Sequence, residues 1–322
     1  MKQSGQWTVG SDKKKERELL SSFPLSTSHL SLITKPFIPH TLSHLTEVRA
    51  FPSPLPEAFY NKICKEYAEI EDAITSHIAY ESDGLQVTGI TTFPVKTEAK
   101  KHPILIYNRG GNREYGKLTV LSVMRSMLPF ARAGYLVYAS NYRGNDGGEG
   151  KDEFGGADVN DVLNLLEIAK QNPNWDGRNV FILGHSRGGM MTYMTLRRDK
   201  NINAAISIAG VADIFQSGND RPELEKNVYS KLIMADDENR NQAYKNRSAV
   251  CWANEIDTPL LLLHGTADEA VGMVHSTRLA EKLAEFGKPH ELVICEGGNH
   301  ALLRHWNEVL EKSLSWFGSY EL

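Results

Sequence analysis

Short, uninterrupted apolar runs alternate with longer amphipathic stretches through most of this 322-residue chain. Runs of four to six apolar residues are typical of strands buried on both faces, which form parallel sheets covered by helices. Stretches such as TVLSVMRSMLPFARAG and DVNDVLNLLEIAKQN repeat apolar residues every three or four positions, which predicts helices between the strands. The predicted buried strands are ILIY (104–107), YLVYAS (135–140), VFILG (180–184), AAISIA (204–209), LLLLH (260–264) and ELVICE (291–296).

Two further strands precede these six. HIAYES and LQVTGITTF flank a turn at Asp83-Gly84 and predict an antiparallel pair. The pattern therefore predicts an α/β protein whose mostly parallel eight-stranded sheet carries helices on both faces. A helical insertion, residues 211–258, separates the sixth and seventh strands, and connections of this length often act as lids. Its apolar residues predict either a pocket lining or packing of the insertion on the domain: Phe215, Tyr229, Leu232, Ile233 and Met234.

The beginning of the chain differs from the rest. Residues 1–50 combine a charge run with a Ser/Thr/Pro-rich stretch and show no sustained periodicity. We therefore divide the chain into an N-terminal arm of unknown role, residues 1–50, and one folded domain, residues 51–322, which contains the lid-like insertion.

Charge and cysteine content exclude several protein classes. The 36 basic and 40 acidic residues give a formal net charge of −4, unlike the basic field that nucleic acid or an anionic membrane attracts. Cys64, Cys251 and Cys295 are far apart and form no CxxC pattern, so neither a disulfide framework nor a zinc knuckle is predicted. The first residues lack the apolar core of a signal peptide, and no run approaches the ~20 apolar residues of a membrane span. We therefore expect a cytoplasmic protein that binds neither nucleic acid nor membrane.

The motif that points most directly to chemistry is Gly-His-Ser-Arg-Gly-Gly, residues 184–189, between a buried strand and a helix. Glycines on both sides of Ser186 allow a tight strand-to-helix turn that exposes the serine hydroxyl. The same turn directs the backbone N–H of Arg187 toward developing negative charge. A glycine-rich turn with a chance serine is the alternative, but the strand and helix around it favour a nucleophile.

A serine nucleophile needs a base, and the base needs an acid that orients it. In the α/β-hydrolase fold these follow the serine in the order acid, then histidine, at the ends of later strands. Asp268 follows LLLLH, and His300 follows ELVICE, so we expect Asp268 as acid and His300 as general base. Glu269 and Glu296 rank below Asp268 because one lies a residue further on and the other still within a strand. A metal site formed by His264 with Asp268, or by His300 with His305, would lack a third ligand at a workable spacing, so no metal site is predicted.

The second group that stabilises an oxyanion is expected in the loop after ILIY. Backbone N–H groups of Arg109, Gly110 and Gly111 are the candidates, because adjacent glycines let the backbone approach a substrate. A plain left-handed turn would use the same glycines, and this alternative stays open. The loop at residues 141–148 also follows a strand, and it either shapes the pocket or caps the next helix.

Several segments together resemble the catalytic domain of the prolyl oligopeptidase family of serine peptidases, over roughly residues 75–320. They are NYRGNDGGEG, WDGRNVFILGHSRGG, AYKNRSAVCWANEIDTP and PLLLLHGTADEAV. The resemblance implies the same triad of Ser186, Asp268 and His300. It carries over only backbone donation in the oxyanion loop, because Arg109 stands where some members have tyrosine or histidine.

The resemblance sets the expected reaction. About 75 residues precede it, too few for the β-propeller that the family places before this domain. We expect a serine hydrolase that acts through an acyl-enzyme on short peptides or other small amides, without cofactor or metal. A carboxylesterase acting on small esters is the alternative, because a histidine and an arginine flanking the nucleophile are also common in esterase-like relatives. A non-catalytic binding protein of the same fold ranks third.

Overall fold

The computed structural model describes residues 32–36, 57–95, 97–233 and 236–322. Within them, nine strands form one sheet in the spatial order β1-β2-β3-β5-β4-β6-β7-β8-β9. The strands are β1 (Leu32–Pro36), β2 (Ala73–Ser82), β3 (Leu85–Pro94), β4 (His102–Asn108), β5 (Leu136–Ser140), β6 (Trp175–His185), β7 (Ala204–Ile208), β8 (Leu260–Gly265) and β9 (His290–Cys295).

The sheet is mostly parallel, as the apolar runs predict. β4 to β9 run parallel to one another, while β2 and β3 form the predicted antiparallel pair and β3 also pairs antiparallel with β5. At the turn between that pair, Asp83 and Gly84 both adopt positive φ, 52° and 77°. The prediction of eight strands omitted β1, which pairs antiparallel with the edge of β2 from within residues 1–50. Edge pairing satisfies backbone groups and needs little side-chain pattern, which explains why the sequence did not indicate it.

Helices follow most strands. In the part of the chain that the structure describes, no helix is long and apolar enough to cross a bilayer. The longer helices are α1 (Glu57–Ala68), α2 (Leu128–Arg132), α3 (Asp158–Ala169), α4 (Arg187–Arg198), α5 (Ile214–Asp220), α6 (Asp237–Arg247), α7 (Val274–Glu285) and α8 (Trp306–Gly318). The stretch predicted as one helix, residues 119–134, is interrupted: the short helix Val120–Ser122 leads into a π-helical turn at Val123–Met127, and α2 follows.

Both faces of the sheet are covered by apolar residues. Along β4, Ile104 and Ile106 join one buried cluster, whereas Leu105 and Tyr107 join the cluster on the opposite face. Successive side chains point to opposite faces of the sheet and all are buried, which is typical of a central strand in a sheet covered by helices on both faces.

The helical segment between β7 and β8 packs on the first of these faces. Its residues form α5, α6 and short turns at Pro222–Leu224, Glu225–Tyr229 and Ser230–Leu232. Of the five apolar residues named in the sequence analysis, Met234 lies outside the described residues. The other four contact the buried cluster and so stabilise the insertion: Phe215, Tyr229, Leu232 and Ile233.

Candidate active site

The nucleophile turn joins β6 to α4 and places Ser186 in a rare backbone conformation, with φ 58° and ψ −121°. Positive φ is uncommon for a residue with a side chain and marks a conformation that its surroundings impose. The flanking glycines are required by close contact: a Cβ on Gly184 would lie 2.0 Å from the Gly188 carbonyl oxygen, and one on Gly188 would lie 1.9 Å from the Asn108 carbonyl oxygen. The turn therefore presents Ser186 at the carboxyl end of the sheet.

Backbone hydrogen bonds fix this turn. The Ser186 N–H donates to the Ile208 carbonyl over 2.9 Å, and the Ser186 carbonyl accepts from Gly189 over 2.9 Å. Because the Ser186 N–H is used within the fold, the next N–H along the chain is the candidate oxyanion donor. Arg187 is the first residue of α4, where N–H groups have no partner within the helix.

Asp268 and His300 contact each other directly. His300 Nδ1 donates to Asp268 Oδ2 over 2.8 Å, and His264 Nε2 lies 3.2 Å from the same oxygen. The other oxygen, Oδ1, accepts from the N–H groups of Ala270 and Val271, both over 2.9 Å. Burial opposes the carboxylate charge, but hydrogen bonds from His264 and His300 outweigh it and hold the pKa of Asp268 below its ordinary value. The carboxylate is therefore ionised and fixed in place.

The Asp268 contact determines the tautomer of His300. A proton on Nδ1 is needed for donation to the carboxylate, which leaves the Nε2 lone pair available in the neutral ring. The His300 side chain is 27% exposed, so this ring can meet a substrate, whereas the Asp268 side chain is fully buried. His185, the residue before Ser186, donates from Nε2 to the His300 carbonyl over 2.9 Å, and the two rings lie 4.8 Å apart. The loop that carries His300 therefore contacts the turn that carries Ser186.

The loop after β4 lies against the same turn. A Cβ on Gly110 would lie 3.1 Å from Ser186 Cβ and 3.1 Å from the His185 carbonyl oxygen. Gly111 adopts φ 74°, and a Cβ there would lie 2.1 Å from the Tyr115 carbonyl oxygen. Gly111 therefore makes the left-handed turn and Gly110 lies against Ser186, while oxyanion donation by this loop stays a prediction.

The side chain of Arg109 points into the protein and supports this loop. Its guanidinium donates to the Asn141 carbonyl over 3.1 and 2.7 Å and to the Arg113 carbonyl over 3.0 Å. In return, the Tyr142 hydroxyl donates to the Arg109 carbonyl over 3.1 Å. Burial and the nearby charge of Arg187 together lower the pKa of Arg109 to about 10. The Asn-Tyr-Arg-Gly loop thus supports the oxyanion loop, a role that the sequence did not indicate.

The side chain of Arg187 is equally buried and joins two carboxylates that sequence reasoning missed. It donates to both oxygens of Asp152, each over 2.8 Å, and also to Asp158. Burial opposes the charge on Arg187, but these carboxylates outweigh it and raise its pKa, while the guanidinium holds the pKa of Asp152 below its ordinary value. No spacing pattern links residues 152 and 158 to the nucleophile, so only the fold reveals the cluster.

Comparison with known proteins identifies the family. The model of the prolyl oligopeptidase family matches residues 121–320. The chain belongs to the prolyl oligopeptidase family. It is therefore an enzyme of the serine hydrolase type. The "Uncharacterized peptidase YtmA" of Bacillus subtilis is 31% identical over 248 residues, which cover 77% of this chain and 88% of that relative.

Other family members are considerably longer. YuxL, a second uncharacterized peptidase of Bacillus subtilis, is 27% identical over 315 residues and covers 90% of this chain, but the match spans 44% of YuxL. Among solved structures, the Pyrococcus horikoshii acylaminoacyl peptidase superposes with a TM-score of 0.66 at 23% identity, covering 79% of this chain and 43% of that one. A Mycobacterium tuberculosis puromycin-hydrolyzing peptidase gives 0.65 at 20% identity, covering 77% and 46%. The chain spans less than half the length of these three relatives, and the structural matches establish the fold.

Proposed function

We propose that this protein hydrolyses short peptides or other small amides through an acyl-enzyme, with Ser186 as nucleophile, His300 as general base and Asp268 as the orienting acid. The observation that carries the proposal is the 2.8 Å hydrogen bond from His300 Nδ1 to a buried carboxylate, on a loop fastened to the serine turn. This arrangement leaves the Nε2 lone pair of His300 for the serine proton.

Each step uses groups of this chain. Ser186 Oγ attacks the substrate carbonyl carbon while His300 Nε2 takes the hydroxyl proton. The tetrahedral oxyanion is stabilised by the N–H of Arg187 and by an N–H of the Arg109 to Gly111 loop. His300 then gives the proton to the leaving amine, and the C–N bond breaks. A water molecule, which gives a proton to His300, then attacks the acyl-enzyme ester in the same way. This step releases the carboxylic acid product and restores Ser186. No step requires a metal or an organic cofactor.

The names of the relatives support the choice of an amide substrate. The peptidases named above are joined by the dipeptidyl-peptidase 5 of Porphyromonas gingivalis, 24% identical over 70% of this chain. We propose that the substrate is a short peptide, with a small carboxylic ester as the alternative. A panel of aminoacyl, dipeptidyl and short-chain acyl chromogenic substrates separates the two. Turnover of amides above ester background supports the peptidase, whereas turnover of esters alone contradicts it.

We further propose that the insertion, residues 211–258, covers the site and selects the substrate. Contacts on two sides of the site support this placement. Arg221 donates to the Ala270 carbonyl, next to the acid loop, over 3.2 Å. On the other side, Arg113 donates to the Asn227 carbonyl over 3.4 Å. The insertion thus bridges the acid loop and the segment that follows the oxyanion glycines.

Breaking these two contacts tests the proposed lid. Arg221→Leu and Arg113→Leu are expected to change the ratio of kcat/KM between long and short acyl groups by about tenfold, the scale of a pocket contact. Labelling of Ser186 by a small fluorophosphonate should continue at the wild-type rate, because that probe needs no lid. Lys231→Leu, an exposed cation on the same insertion, is the control. Unchanged ratios in both variants would place selectivity outside the insertion.

Placement in a reducing compartment, the cytoplasm, is likewise proposed. Cys251, which is exposed, and Cys295, which is buried, are both free thiols, and desolvation raises the pKa of each, which favours the protonated form.

A further inference from the structure

The loop that carries His300 is held at two successive carbonyl oxygens by side chains from elsewhere in the fold. His185 Nε2 donates to the His300 carbonyl over 2.9 Å, and Arg125 Nη2 donates to the carbonyl of Ala301. Neither donor belongs to the triad. His185 comes from the nucleophile turn, and Arg125 comes from the π-helical turn that follows the oxyanion loop.

The backbone around His300 explains why such contacts matter. Gly297 adopts φ 67° shortly before the histidine, and Leu302 adopts φ 49° shortly after it. Gly298 stands between Gly297 and Asn299, so the approach to His300 contains two adjacent glycines. Glycines give a loop conformational freedom, and a leucine at positive φ is strained. External contacts are therefore needed to keep the imidazole in one orientation.

The His185 ring is suited to a fixed contact. A carbonyl oxygen can only accept, so His185 Nε2 carries the proton that it donates. Burial, together with the neighbouring His300 and Arg125, lowers the pKa of His185 to about 3, against the opposite effects of its hydrogen bond to the His300 carbonyl and of the Asp268 charge. The ring is therefore neutral at working pH and adds no positive charge beside the imidazolium that forms on His300.

Arg125 is held in its own position by an aromatic ring. Its guanidinium lies 4.6 Å from the ring centre of Trp306, the first residue of α8. Such a cation over an indole face is an attractive contact when both are partly buried. Arg125 thereby connects three parts: the helix after the oxyanion loop, the base loop and the C-terminal helix.

We propose that His185 and Arg125 are positioning residues, which hold the His300 loop by its two carbonyls so that the imidazole faces Ser186. The proposal rests on the proposed function of His300 as base. The hydrogen bonds to these two carbonyls fix the backbone that carries the imidazole ring, while Asp268 restrains the ring itself.

Pairs of substitutions test each donor. His185→Leu and Arg125→Met remove the donor and keep similar volume, whereas His185→Gln and Arg125→Lys retain an N–H. The rate of labelling by a fluorophosphonate and kcat for the best panel substrate are measured per active site. We expect the donor-free variants to lose about 10- to 100-fold in both, the cost of a small misplacement, with KM within about threefold. The donor-retaining variants should recover most of the rate.

A matched control is available at the opposite end of the sheet. His102 Nδ1 donates to the Gly134 carbonyl over 2.8 Å at the start of β4, so His102→Leu removes the same kind of contact away from the site. It should keep the wild-type labelling rate. A purely structural role of His185 or Arg125 would lower the number of sites that label and leave the rate per site unchanged, which would overturn the proposal. Absence of Ser186 labelling in the wild type would instead overturn the proposed function.

Discussion

Two buried carboxylates flank the candidate site, and their partners differ. Asp152 faces Arg187, a permanent cation, and forms two hydrogen bonds of 2.8 Å with it. Asp268 faces His264 and His300, and an imidazole, unlike a guanidinium, carries a charge only when it is protonated. Hydrogen bonds and charge lower the pKa of both carboxylates, so both are ionised.

The difference in partner separates stability from catalysis. Arg187 is permanently charged, so it always balances the negative charge of its carboxylate partners. This cluster therefore holds the turn around Ser186 against the loop of residues 152–158. In the Asp268 cluster, a positive charge that balances the carboxylate is present only when His300 takes a proton. The His300 side chain is 27% exposed, so a substrate can reach it. We infer that the first cluster serves folding alone, whereas the second also serves the transition state.

The largest expected effect is on the catalytic side. Asp268→Asn should lower kcat by about 10³- to 10⁴-fold, because an amide favours the wrong imidazole tautomer. The free energy of unfolding should fall as well, because the hydrogen bonds that hold the pKa of Asp268 below its ordinary value also stabilise the folded state, so kcat is compared per folded molecule. Steady-state kinetics and urea unfolding measure the two quantities. Glu269→Gln, the exposed neighbouring acid, is the control, and a larger loss in that variant than in Asp268→Asn would show that the acid is misassigned.

The next effect is on the structural side. Asp152→Asn should lower the free energy of unfolding by about 3 kcal/mol, the low end for breaking a buried ion pair, because Asp158 still faces Arg187. Activity per folded molecule should stay within about tenfold of wild type, a smaller loss than a triad residue causes. Urea unfolding and active-site titration measure these changes. A loss of kcat as large as that of Asp268→Asn, with unfolding unaffected, would remove the distinction between the clusters.

A smaller effect concerns the stability of the folded protein at acidic pH. Burial lowers the pKa of His275 to about 4 and that of His185 to about 3, while an unfolded histidine titrates near 6.5. Unfolded chains therefore bind these protons first, and stability that is full above pH ~6.5 is lost as pH falls toward 4. Each histidine contributes up to about 1.4 kcal/mol per pH unit. Asp152 and Asp268, whose folded pKa values lie below the ordinary carboxyl value, lose their stabilising effect only below about pH 5, where the unfolded carboxylates begin to take up protons, so they contribute little between pH 7 and 5.

Urea unfolding at pH 7, 6 and 5 measures that slope. In His275→Gln, whose amide oxygen can still accept from the N–H groups of Ala212 and Asp213, the slope should fall by about half. An identical slope in wild type and variant would mean that His275 is not held neutral in the folded state.

Much of this molecule could be predicted from sequence, for physical reasons. Strands buried on both faces leave continuous apolar runs, which located β4 to β8. The apolar run of β9 located that strand too, although β9 is a half-buried edge strand and not one buried on both faces as expected. The turn around Ser186 requires glycines on both sides of that residue. Strand β1 was missed because edge pairing uses backbone groups. Long-range partners such as Asp152 with Arg187 and His185 with the His300 carbonyl leave no local pattern, so only the folded chain reveals them. The roles of Ser186, Asp268 and His300 in the reaction stay predictions.

The most direct test of the central proposal is to locate the residue that a fluorophosphonate modifies. Intact mass and peptide mapping of the treated wild-type protein should give one adduct per chain, on Ser186. The Ser186→Ala variant, folded as judged by circular dichroism, should take up none and should lose turnover by a factor on the order of 10⁴ or more. An adduct on another residue, or turnover in Ser186→Ala above about a tenth of wild type, would contradict the account.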